Sequence, residues 1–95
     1  MSQGLAIENH SWQGHYTLGR VYWRSGNFVK AGRQAGLAIQ LNPNFADAHL
    51  LAADILMRAE KRQDALFEYR EYLRLNPHGE NAKRVSSIIA GLKSR

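Results

Sequence analysis

The sequence predicts an all-α fold: a solenoid of about five helices stacked as antiparallel pairs. Three observations carry that expectation. Leu41-Asn42-Pro43-Asn44 returns 34 residues later as Leu75-Asn76-Pro77-His78. Shifting the chain against itself by the same 34 residues pairs His15 with His49, Arg24 with Arg58, Ala31 with Ala65, Leu41 with Leu75, Asn42 with Asn76 and Pro43 with Pro77. Around the two stops the apolar and small residues follow helical spacing, with Gly14, Ala48 and Ala82 in step and Val21 falling on Ile55.

Residues 1–10 leave two readings open. Gly4-Leu5-Ala6-Ile7-Glu8 echoes Gly36-Leu37-Ala38-Ile39-Gln40, which suits the tail of a preceding repeat. The other reading is a frayed terminus with a chance similarity. A first helix is expected over 12–25, with Ser11 as N-cap and Gly14, His15, Leu18, Gly19 and Tyr22 on one stripe. Ser25-Gly26-Asn27 is turn chemistry, since glycine allows positive φ and asparagine tolerates it. A second helix follows from about Phe28 to Leu41, with Ala31, Ala35, Ala38 and Ile39 inward. Gly32 and Gly36 weaken it by roughly 1 kcal/mol each relative to alanine, which a close approach by a neighbouring helix would offset. Asn42-Pro43 stops it, because proline pushes the preceding residue out of the helical region.

The pattern then restarts. A third helix is expected from about Phe45 to Ala59, and a fourth from about Gln63 to Leu75, joined by Glu60-Lys61-Arg62 in place of the glycine turn. After the second stop a last helix runs from about Glu80 to Lys93, with Val85, Ile88, Ile89 and Leu92 on one face and Lys83, Arg84, Ser86 and Ser87 on the other. That polarity suits a terminal cap. The chain therefore divides into a tail or repeat remnant over 1–11, repeats over 12–45 and 46–79, and a capping helix over 80–95.

Composition narrows the function classes. At 44% apolar residues the chain reads as folded, and no apolar run is long enough to span a membrane. Cysteine is absent, which removes disulfides, thiolate metal sites and a cysteine nucleophile. Met1-Ser2-Gln3-Gly4 lacks the pattern of a signal peptide, so the cytoplasm is the default expectation. The net charge of +5 favours acidic partners, yet carboxylates at Asp54, Asp64, Glu68, Glu71 and Glu80 lie among the basic residues and suggest solvated helix faces.

A helix pair of 34 residues with a glycine turn and a closing proline resembles the tetratricopeptide repeat. The first unit reads His15, Leu18-Gly19, Tyr22, Ala31, Ala35, Pro43; the second reads His49, Ala52-Ala53, Leu56, Ala65, Tyr69, Pro77. Both put histidine where the family pattern has tryptophan, and Ala35 is a small stand-in for an aromatic. The resemblance covers about residues 12–78. It implies right-handed stacking of helix pairs, with the first helix of each pair lining a concave groove that binds an extended peptide or a partner's helix. The groove residues it implies are Tyr16, Arg20, Trp23 and Arg24 on the first helix and Leu50, Asp54, Met57 and Arg58 on the third, beside Gln13 and Asp47 and about Arg84 and Ile88 of the cap.

Aromatic residues and arginine dominate binding hot spots, and Arg24 with Arg58 could fork onto a carboxylate. The bland counterpart is a simple surface pairing of Arg20 with Asp54, worth ~0–1 kcal/mol. A lysine-and-asparagine carboxylate clamp of the chaperone-cofactor kind is disfavoured, because Arg20 and Asp54 stand where its asparagine is needed. Thr17 and Leu51 replace the asparagine ladder of sugar-transferase superhelices. His15 and His49 lack the further ligands a zinc site needs, and core positions with one hydrogen bond each suit them better.

No nucleophile–base pair or phosphate loop marks an enzyme, and no cofactor or metal is expected. The expectation is a non-catalytic protein-interaction scaffold module. Nucleic acid is the rival partner, through Arg58, Lys61, Arg62, Lys83 and Arg84 with Tyr16 or Trp23 stacking on bases, but Glu60, Glu68, Glu71 and Glu80 interrupt that patch. Repeat arrays usually need three or more units. The first pair's outer end, near Trp12 and the Gly32/Gly36 surface, is therefore expected either to meet further repeats of a longer array or to form a homodimer.

Overall fold

The structure, a computed structural model, describes residues 11–93. The expected tail or repeat remnant over residues 1–10 lies outside the described residues. Five helices and no strand occur among the described residues: α1 Trp12–Arg24, α2 Phe28–Leu41, α3 Ala46–Arg58, α4 Arg62–Leu75 and α5 Ala82–Lys93.

Local chemistry sets most of these boundaries. Ser11 caps α1, its Oγ accepting from the Gly14 amide at 2.9 Å. Gly26 takes φ +85° in the turn to α2, and Asn27 then caps α2 by accepting from Lys30. One repeat later Glu60 adopts φ +62°, a left-handed backbone that costs a side-chain-bearing residue roughly 1–2 kcal/mol. Asn42 and Asn76 end α2 and α4 in matching non-helical conformations, φ −145° and −143°, each before its proline. α5 begins at Ala82, two residues later than Glu80, because a tight turn holds the Gly79 amide on the Asn76 carbonyl at 3.2 Å.

Cross-helix contacts give the directions. Trp23 meets Phe28, Gly19 meets Ala31 and Ala35, and His15 meets Gln34, so α1 and α2 are antiparallel. In the second pair His49 Nδ1 bonds Glu68 Oε1 at 2.6 Å, repeating at 34-residue spacing the 2.6 Å bond from His15 Nδ1 to Gln34 Oε1. His49 Nε2 also reaches the Pro43 carbonyl at 2.8 Å. Each histidine thus ties the first helix of its pair to the second.

Consecutive helices pack throughout, and α1 also touches α3. α3 serves two cores. Leu51 and Ile55 reach back to Ala31 and Ala35 of α2, with Tyr16, Tyr22 and Trp23 alongside. Leu50 and Ala53 reach forward to Ala65, Tyr69 and Tyr72 of α4 and Val85 of α5, with Met57, Ile88, Ile89 and Leu92 against them.

The glycines divide by what surrounds them. At Gly19 an added Cβ would lie 3.2 Å from Leu51 and 3.4 Å from backbone atoms of Ala31 and Ala35. At Gly32 the nearest atom is Ile55 Cγ2 at 3.6 Å, a neighbour of the kind expected, whereas at Gly36 nothing lies within 4 Å. Gly36→Ala is therefore expected to raise stability by about 0.5–1 kcal/mol. Gly19→Val should lower it by about 1–3 kcal/mol through overpacking. Urea unfolding of both variants checks the pair, and equal midpoints would contradict the packing described.

Candidate functional site

α1 and α3 point the same way. At their N-terminal ends Phe45, which precedes α3, holds Trp12 at 4.6 Å and Tyr16 edge-on at 4.9 Å between ring centroids. At their C-terminal ends Phe28 receives the Trp23 ring at 5.2 Å and the Arg58 guanidinium at 5.0 Å. The two helices therefore meet at both ends through aromatic contacts. A groove of about 450 Å³ opens beside them, where the end of α4 and the turn before α5 complete the walls.

The groove brings together Tyr16, Arg20, Trp23 and Arg24 of α1 with Leu50 and Asp54 of α3. Leu50 is floor rather than rim, at 8% exposure, because α4 and α5 close over it. Met57 and Arg58 are not with the others. Met57 packs on the core shared with α5 and lines a second cavity of about 240 Å³ with Arg62, Ile88, Gly91 and Leu92. Arg58 turns to Phe28 and does not line the groove that Arg24 lines. Trp12 lies on Phe45.

Asp54 and Arg20 have partners other than each other. The Tyr69 hydroxyl donates to Asp54 Oδ1 at 2.7 Å, and Arg84 Nη1 of α5 stands 3.8 Å from the same oxygen. Arg20 lies over the Tyr16 ring at 5.7 Å. Burial pushes the Tyr16 hydroxyl above its ordinary range; the Asp47 charge adds to that, and Arg20 opposes it. Burial also pushes the Tyr69 hydroxyl up, and its bond to Asp54 raises it further.

Four lining residues, Tyr72, Asn76, Glu80 and Asn81, come from the end of α4 and the turn before α5. They reach the groove because antiparallel α4 returns to the start of α3. Their only signal in the sequence is that Asn76 belongs to the repeated stop and Glu80 and Asn81 follow it closely. Among the described residues no three His, Asp or Glu side chains gather as a metal site, and no helix is long and apolar enough to cross a membrane. The groove offers aromatic faces, guanidinium groups and carboxylates around an apolar floor.

The chain matches no protein-family model, and no curated protein is significantly similar to it.

The Tyr69–Asp54 bond makes a pH prediction. A hydroxyl whose folded pKa lies above its unfolded value, about 10, keeps its proton after the unfolded chain has lost it. Its contribution to stability is thus complete below pH ~10 and is lost as pH rises further. Tyr69→Phe should cost about 0.5–1.5 kcal/mol at pH 7 and flatten the loss of stability above pH 10. Urea unfolding at pH 7 and at alkaline pH reads both, and an unchanged alkaline slope would contradict the assignment.

Proposed function

We propose that this chain is a non-catalytic protein-interaction module of tetratricopeptide type, part of a larger scaffold, that holds an extended peptide or a partner's helix in the groove between α1 and α3. The observation that carries the reading is the convergence of Tyr16, Arg20, Trp23 and Arg24 on one side of a 450 Å³ groove floored by Leu50. Aromatic rings and arginines around an apolar floor are the groups that anchor protein partners.

The repeat-type reading draws support from features that recur at 34-residue spacing: the His15–Gln34 and His49–Glu68 bonds, the positive-φ turns at Gly26 and Glu60, and the stops at Asn42 and Asn76. The molecule also has one long axis, 51 Å against 26 and 19 Å, as a row of helix pairs would. Right-handed superhelical stacking belongs to the same proposal. Nucleic acid fits this surface less well, because Arg74 is paired with Glu71, Arg84 sits by Asp54, and Asp47 and Glu80 line the groove beside the arginines.

Self-association has an observation of its own. Val21 is 54% exposed, whereas Ile55, one repeat later, is 6% exposed beneath α2. A helix from a second copy could cover the α1 face as α2 covers α3. Light scattering across a concentration series separates that reading, since a monomer throughout would remove it.

The test of the main proposal is a peptide array probed with the intact chain. Bound peptides are expected to lose at least about tenfold in affinity on Trp23→Ala or Tyr16→Ala and to hold most of their affinity between about 0.05 and 0.2 M salt. Binding of random single-stranded DNA that outcompetes every peptide and collapses over that salt range would overturn it.

A further inference from the structure

The charged groups of the groove separate into those already satisfied and those left free. Asp54 is held by Tyr69 and Arg84, and Arg20 lies on Tyr16. Arg24, Asp47 and Glu80 are exposed and have neither a hydrogen bond nor an ion pair from their side chains to any described residue. The free charges sit at opposite ends. Arg24 is the last residue of α1, whereas Asp47 lies in the first turn of α3 and Glu80 just before α5. Because α1 and α3 run the same way, the Arg24 end and the Asp47 end are the two ends of one trough. Tyr16, Trp23 and Leu50 lie between them.

We infer that the groove takes an extended peptide segment carrying a carboxylate and a basic side chain about four residues apart, with an apolar or aromatic side chain between, its carboxylate at Arg24 and its cation at Asp47 and Glu80. The inference rests on the groove reading above and names the chemistry of its occupant.

Length sets the spacing. Tyr16, beside Asp47, is eight residues before Arg24 on α1, which is roughly 12 Å at 1.5 Å per residue. An extended chain covers that distance in about four residues at ~3.3 Å each. Charge excludes the uniform alternatives. A polyacidic segment or a phosphate backbone would set like charge against Asp47 and Glu80, and a polybasic one would do so against Arg24. Like charges brought together at an interface are strongly disfavoured.

The experiment is selection of random eight-residue peptides displayed on phage against the intact chain, followed by affinities for point variants. Arg24, Asp47 and Glu80 are exposed, so charge reversal there leaves the core untouched, which circular dichroism verifies. Enriched peptides should pair Asp or Glu with Lys or Arg four positions away, in one consistent order. The best of them should lose at least about tenfold in affinity on Arg24→Glu and on Asp47→Lys. The same peptide with its two charges exchanged should recover affinity for the Arg24→Glu/Asp47→Lys/Glu80→Lys variant.

Peptides that need Trp23 but ignore both charge reversals would overturn the inference and leave the groove reading standing. A seven- or eight-residue spacing with helical peptides would overturn the extended form. Peptides indifferent to Trp23→Ala, or no enrichment at all, would remove the groove reading and the inference with it.

Discussion

The backbones of α1 and α2 meet at Gly19, where any larger residue would press on Leu51 and on the main chain of Ala31 and Ala35. Much of the first pair's geometry depends on that approach. With no side chain between them, the helices close until Ala31 and Ala35 are fully buried, and Leu51 and Ile55 of α3 lie against the same surface. The second pair repeats the solution with Ala53 and Ala65, both fully buried. Close packing of small residues fixes the rotation of each first helix about its axis. That rotation decides which of its side chains meet the core and which meet the groove.

α3 carries the consequence. One of its faces looks back to α2 and another forward to α4 and α5, so it is the helix that joins the two pairs. Its polar residues are drawn into the same task. His49 bridges to Glu68 and to the Pro43 carbonyl, and Asp54 gathers Tyr69 from α4 and Arg84 from α5. A buried tyrosine that donates to a carboxylate satisfies both groups at once, and α5 adds an arginine 3.8 Å from the same oxygen. The middle of α3 is therefore polar but internally occupied, whereas Asp47 at its start is not. On α1, by contrast, the Arg24 side chain has no hydrogen bond or ion pair to any described residue, and Trp23 is only half-buried.

The helices were legible because their signals are local. Ser11, Gly26 and the Asn-Pro stops act within a few residues of themselves, and each ends or starts a helix as read. The 34-residue spacing was legible for a related reason: the same local packing is used twice. The groove was only partly legible. Stripe counting placed Tyr16, Arg20, Trp23, Arg24, Leu50 and Asp54 on one surface, and they do share it. It missed where Met57 and Arg58 go, because that depends on α5 covering one and Phe28 drawing the other. It proposed an Arg20–Asp54 pair, whereas Asp54 takes Tyr69, a helix away and 15 positions on, which no spacing rule on one helix anticipates. The loop residues Glu80 and Asn81 reach the groove only through the path of α4.

The proposed binding through aromatic faces and charged groups needs the groove walls in place before a partner arrives, since ordering them on binding would weaken affinity. The wall at risk is α1, which is held by α2 and by a smaller contact with α3. Amide hydrogen exchange followed by NMR tests this most directly. Protection along Tyr16–Trp23 is expected to match that of Leu50–Ile55 within about tenfold, as in one cooperative unit. Rapid exchange along α1 while α3, α4 and α5 stay protected would mean that the groove is not preformed, and would contradict the account.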